Sequence, residues 1–142
     1  MIRATLDVNV LASGLLAEAG IPAELIDRWT DLAFALVASE HLLEGLARTW
    51  RKPYYQRRLD PERVRQAFAL LRAQATLVAP VETVRGVAPN EEDDLVLATA
   101  LAGGATFLVT GDKPFRGLGR YQDVVLLSPR EFLAVLDSEA AP

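Results

Sequence analysis

The sequence predicts an α/β layer protein with a mainly parallel sheet. Three observations carry that expectation. Short apolar runs alternate with segments of helical spacing along the whole chain; side chains able to cap a helix open four of those segments; and two apolar runs end at carboxylates. Ile2 to Val8 reads as a buried strand ending at Asp7-Val8-Asn9. After the break at Gly20-Ile21-Pro22, Ala23 to Leu36 carries Leu25, Ile26, Trp29, Ala33 and Leu36 at helical spacing, and Phe34 to Ala38 reads as a second short strand. Ser39 caps a helix with Leu42, Leu43, Leu46 and Trp50 on one apolar face, and Pro53 ends it. Asp60-Pro61 opens the next helix, through Val64, Ala67, Phe68 and Leu71. Thr76 to Val81 is a predicted strand, followed by a loop around Gly86. Asn90 caps a helix from Glu91 to about Ala102, stopped by Gly103-Gly104. Ala105 to Thr110 is a strand ending at Gly111-Asp112, and Asp123 to Leu127 is another after a glycine-rich loop. Ser128-Pro129-Arg130-Glu131 is a capping box that opens a last helix through Leu136.

Composition narrows the chemistry. The chain has 142 residues, 51% of them hydrophobic and 24% charged, as expected of one folded domain rather than a disordered chain. No apolar run approaches the roughly 18 residues that suggest a membrane span. The N-terminal residues run straight into a strand pattern, so a cytoplasmic protein with no membrane contact is expected. There is no cysteine and only one histidine, His41, which excludes disulfide frameworks, thiolate chemistry and cysteine or bis-histidine zinc sites. Any metal would be held mainly by oxygen. His41, in a helix and without a histidine partner, reads as a surface or capping residue. Trp29, Phe34, Phe68, Phe107 and Phe132 fall on apolar faces as core or subunit interface.

Net charge is −4, but it is unevenly spread. Residues 51–72 carry +5 and the rest of the chain −9. Within that basic segment Arg51, Lys52, Tyr54, Arg57 and Arg58 combine phosphate-binding charge with an aromatic ring able to stack on a base, which makes them candidate RNA contacts. A solvated rim or a protein-binding face explains the same residues equally well.

In parallel sheets ligands sit beyond the carboxyl ends of strands. Asp7 and Asp112 share that address, with Asn9 and Thr110 beside them. A lone buried carboxylate is costly unless it is neutralised, hydrogen-bonded or given a cation. Asp93, in the first turn of the Asn90 helix, gains from the helix dipole, and Glu44 lies beside an apolar stripe where a solvated glutamate is common.

Four segments at fitting spacings resemble the PIN-domain family, in the toxin branch related to VapC toxins. They are Leu-Asp7-Val-Asn9-Val-Leu, Ser39-Glu-His-Leu-Leu-Glu44-Gly-Leu, Asp93-Asp-Leu-Val-Leu-Ala-Thr-Ala-Leu and Leu-Val-Thr110-Gly-Asp112-Lys, with Ser-Pro-Arg-Glu-Phe-Leu as the ending. The resemblance covers essentially the whole chain and implies one PIN-like three-layer α/β/α domain over residues 1–142. It implies that Asp7, Glu44, Asp93 and Asp112 form a catalytic, metal-holding quartet, with Asn9 and Thr110 in support. Asp94 stays open beside Asp93, and Pro114 stands where the branch often has a further acid. The implied activity is a Mg²⁺- or Mn²⁺-dependent endoribonuclease acting on single-stranded RNA, the toxin of a toxin–antitoxin pair, working as a homodimer and inhibited by a small antitoxin protein. Two other readings share parts of the pattern. One is a phosphotransfer or phosphatase-type α/β domain, against which Asn9 stands where a second aspartate is usual. The other is a non-catalytic PIN-like binding module.

Overall fold

The computed structural model describes residues 1–81 and 83–140. Its strands are β1 (Arg3–Leu6), β2 (Ala35–Ala38), β3 (Thr76–Leu77), β4 (Phe107–Val109), β5 (Arg120–Tyr121) and β6 (Val124–Leu127). They form one sheet in the order β3-β2-β1-β4-β6-β5, in which every pairing is parallel except β5 with β6. Central parallel strands are covered on both faces, which is why Ala4, Thr5 and Leu6 of β1 are all buried rather than alternating.

The helices are α1 (Val8–Gly14), α2 (Ile21–Thr30), α3 (Glu40–Trp50), α4 (Pro53–Gln56), α5 (Pro61–Gln74), α6 (Glu91–Ala102), α7 (Lys113–Arg116) and α8 (Pro129–Ala140). Their starts follow from capping chemistry. The Ser39 hydroxyl accepts from the Leu42 amide, Asp60 from the Glu62 amide (3.0 Å) and Asn90 from the Asp93 amide (2.9 Å). In the capping box the Glu131 amide donates to the Ser128 hydroxyl (3.1 Å) and the Ser128 amide to the Glu131 carboxylate (2.9 Å). At the end of α6, Gly104 takes φ +64°, and a Cβ on Gly103 would lie 2.2 Å from Val37, so both glycines are required.

α6 packs on β1, β2 and β4, α8 packs on β4 and β6, and α1 packs against α2 and α3. One continuous apolar cluster runs from Ala4 to Leu136. Aromatic pairs tie it together: Phe132 meets Phe34 edge-to-face at 5.0 Å and half-buried Phe107 at 5.8 Å, and Trp50 meets half-buried Phe68 at 5.5 Å. Truncating fully buried Phe132 to alanine would cost about 3–5 kcal/mol.

Several boundaries differ from the sequence reading. The helix expected over 23–36 is α2, ending at Thr30, because Leu32 turns the chain at φ 65° with neither glycine nor proline to announce it. The strand expected over 76–81 pairs only at Thr76–Leu77. Asp7 caps α1 directly after β1, accepting from the Val8 amide at 2.8 Å, so a helix begins where only a strand end was expected. α4, α7 and β5, of four, four and two residues, are too short to show a period. None of the described helices is long and apolar enough to cross a membrane.

The chain leaves β1 toward β2 and β3 on one side, then returns to β4 and β6 on the other. The topological switch point therefore lies between β1 and β4, and the crevice beyond their carboxyl ends is where such a sheet binds ligands.

Candidate functional site

A cleft of about 350 Å³ opens at that switch point. Asp7 reaches it from the end of β1, Asp112 from the turn after β4, and Asp93 and Glu92 from the first turn of α6. Asp7 is held firmly. Its amide donates to the Val109 carbonyl, Val8 N donates to its Oδ1 at 2.8 Å, and the Thr110 hydroxyl donates to its Oδ2 at 2.7 Å. The same Thr110 oxygen accepts from the Asp112 amide at 3.1 Å, so one buried hydroxyl ties the two strand ends together. Arg116 of α7 donates to the Thr110 carbonyl at 3.3 Å and fixes that turn from below.

Burial raises the Asp7 pKa, with Asp112 and Glu92 adding repulsion against the lowering effect of Thr110 and the Val8 amide. Asp93 is pushed up to about 6, first by burial and then by the negative charge of Asp7, Asp112 and Glu92. Asp93 Oδ2 is buried with no hydrogen-bond partner among the described residues. A carboxylate oxygen left bare among other carboxylates is an unmet demand for a cation or a proton.

The structure brings Asp7, Asp93 and Asp112 of the expected quartet to this cleft, with Asn9 on its rim, but not Glu44. Glu44 is exposed and outside the lining, whereas its neighbour Gly45 lines it. One residue along a helix is a rotation of about 100°, enough to move a side chain from the cleft to solvent. Asp94, left open beside Asp93, turns the opposite way. It accepts from the amides of Gly86 (2.9 Å), Val87 (3.2 Å) and Ala88 (2.8 Å) and so clamps the loop before α6.

Of the basic segment only Lys52 lines the cleft. Arg51 borders a separate groove of about 220 Å³ with Trp50, Leu59 and Phe68. Tyr54 is exposed, but the Arg58 guanidinium lies 3.9 Å over its ring and also donates to its carbonyl; Arg57 is exposed and lines neither groove. Sequence reasoning missed Arg48, which pairs with Glu92 at 3.1 Å, and left His41 as a surface residue although it lines the cleft. A signal for both was available: positions 41, 45, 48 and 52 repeat at helical spacing.

A family model described as PIN domain matches residues 3–114. The chain belongs to the PIN-domain family. PIN domains are generally nucleases, which places the chain among hydrolases. Its fold is similar to that of VapBC2 from Rickettsia felis, solved bound to a DNA fragment from their promoter, with a TM-score of 0.60 at 12% identity, covering 89% of this chain and 98% of that one. It is also similar to FitAcB from Neisseria gonorrhoeae, with a TM-score of 0.53 at 15% identity and the same coverages. No curated protein matches it by sequence.

PIN-domain nucleases typically use divalent metals, and the donors present suit one. Asp7, Asp93 and Asp112 supply only oxygen, and Asp93, whose Oδ2 has no partner among the described residues, is close enough to the other two to feel their charge. Among the described residues no three His, Asp or Glu side chains stand grouped to hold an ion by themselves. An ion held there would take its remaining oxygens from water and substrate, as Mg²⁺ commonly does.

Proposed function

We propose that this PIN domain, spanning residues 1–142, is a divalent-metal-dependent endoribonuclease that cleaves single-stranded RNA and is the toxin of a toxin–antitoxin pair. The observation that carries the reading is the bare, buried Asp93 Oδ2, in a cleft shared with Asp7 and Asp112 at the switch point of the sheet. Asp7, Asp93 and Asp112 would hold Mg²⁺ or Mn²⁺, which when bound supplies charge neutralisation at the phosphodiester and an acidified water. Thr110 and the Val8 amide hold the two Asp7 oxygens in a single orientation. The Thr110–Asp112 contact keeps the second strand end at a fixed distance from the first. Glu92 adds a fourth carboxylate to the cleft in place of Glu44.

The likeness to VapBC2 and FitAcB supports an antitoxin as partner, and exposed Leu32, Tyr54, Leu77 and Leu95 are apolar surface that a protein interface or a homodimer would cover. The test is incubation with structured and unstructured RNAs, with and without Mn²⁺, and mapping of the cut ends. Wild type is expected to cut unpaired RNA only with the metal, and Asp7→Asn to lose at least 100-fold, on the order expected when a ligand to the reacting centre is removed. Metal binding without cleavage of any RNA would leave a non-catalytic binding module; equal cleavage by Asp7→Asn would refute the site. Light scattering at micromolar concentration checks the homodimer, against which a monomer would count.

A further inference from the structure

The cleft has a wall that the carboxylates do not explain. Along α3 and just past its end, His41, Gly45, Arg48 and Lys52 line it on one helical stripe, facing the acids of β1, β4 and α6. We infer, resting on the nuclease reading, that this stripe is a subsite for an RNA phosphate next to the one cleaved, with Arg48 exchanging Glu92 for that phosphate.

Four observations converge on it. The protein is net negative and four carboxylates line the cleft, so an RNA backbone needs local positive charge to approach. Among the described residues Arg48 is held by Glu92 alone, at 3.1 Å, in a pair whose side chains are 50% and 74% exposed. Such a pair is weak, and a phosphate offers the guanidinium a stronger, bidentate partner. Lys52 makes no ion pair among the described residues, although four such pairs form outside the cleft. Gly45 lets α3 come close to α1 at this wall: a Cβ there would sit 3.0 Å from Val8 Cγ2, which also lines the cleft, while Arg48 Nη2 at 3.6 Å is at ordinary contact distance. Basic residues near the C-terminus of a helix also favour its dipole, but that accounts for their place along α3 and not for the face they occupy. The rest of the basic segment is less suited, since Arg58 is spent on Tyr54 and Arg51 borders another groove.

The test is fluorescence anisotropy with a labelled single-stranded oligouridylate, in Mn²⁺ over a range of salt. Every arm carries Asp7→Asn so that the probe stays intact. Arg48→Gln with Lys52→Gln is expected to weaken binding at least tenfold and to make the log–log salt slope shallower by about 1.4, since each single-strand phosphate contact contributes about 0.7. Glu92→Gln is expected to tighten binding several-fold, and by clearly less once Arg48 is Gln, where only the loss of one negative charge from the cleft remains. Arg57→Gln with Arg58→Gln should change affinity less than twofold. Unchanged affinity and slope in the α3 variants, or a Glu92→Gln gain equally large without Arg48, would overturn the subsite and leave the nuclease reading intact. An oligonucleotide neither bound by any form nor cut by wild type would remove both.

Discussion

The first turn of α6 presents two buried aspartates in succession, and their surroundings are opposite. Asp94 faces the preceding loop and receives three backbone amides, so its charge is answered within the fold. Asp93 lines the cleft, where its neighbours are Asp7, Asp112 and Glu92 and its buried oxygen has no donor among the described residues. Both have the same helix, the same N-terminal dipole and the same chemistry. Under the proposed function Asp94 serves the loop and Asp93 the reacting centre. The two residues should then respond in opposite directions to loss of their charge.

The largest expected effect is on the structural side. Asp94→Ala strands three amides around Gly86–Ala88 and should cost about 3 kcal/mol in denaturant unfolding. Asp93→Asn should instead stabilise the metal-free protein at neutral pH, because it removes a charge held among like charges. A loss of stability in that variant would break the contrast.

The contrast sharpens with pH. The folded pKa of Asp93, about 6, lies above its ordinary value of 3.8, so the native state holds this proton more tightly than the unfolded chain. Stability from this group is therefore highest below about 4, falls as pH rises to about 6, and is flat above. Asp7 shifts in the same direction, while Glu40 and Glu131, lowered by Arg72 and by Ser128, work the other way. The wild-type-minus-Asp93→Asn difference, from melts of metal-free protein between pH 4 and 7, isolates the slope; a flat difference would contradict it. The smallest effect belongs to the cap they share. Asn90→Ala removes the acceptor for the Asp93 amide and should cost about 1 kcal/mol.

The sequence made most of this frame legible because its helix starts are written in local chemistry. Ser39, Asp60, Asn90 and Ser128 each cap where their types and spacing said they would. What it hid was rotation and distance. Glu44 and Gly45 differ by one step on α3, and no count of carboxylates reveals which of the two turns to the cleft. Arg48 and Glu92 are 44 residues apart, and their pairing exists only once α3 and α6 are packed. Asp93 and Asp94 could not be told apart by type, since the three amides that claim Asp94 come from a loop without periodicity. α2 read six residues too long because a leucine, not a glycine, takes the positive φ at the turn.

The most direct measurement is Mn²⁺-dependent cleavage of a single-stranded RNA by wild type, Asp93→Asn and Asp94→Asn, with rates normalised to the folded fraction of each. Asp93→Asn is expected to fall at least 100-fold while remaining folded, and Asp94→Asn to stay within a few-fold of wild type once its lower stability is corrected, as expected where one carboxylate serves the reacting centre and the other the loop. Wild-type rates in Asp93→Asn, or loss confined to Asp94→Asn, would contradict the account.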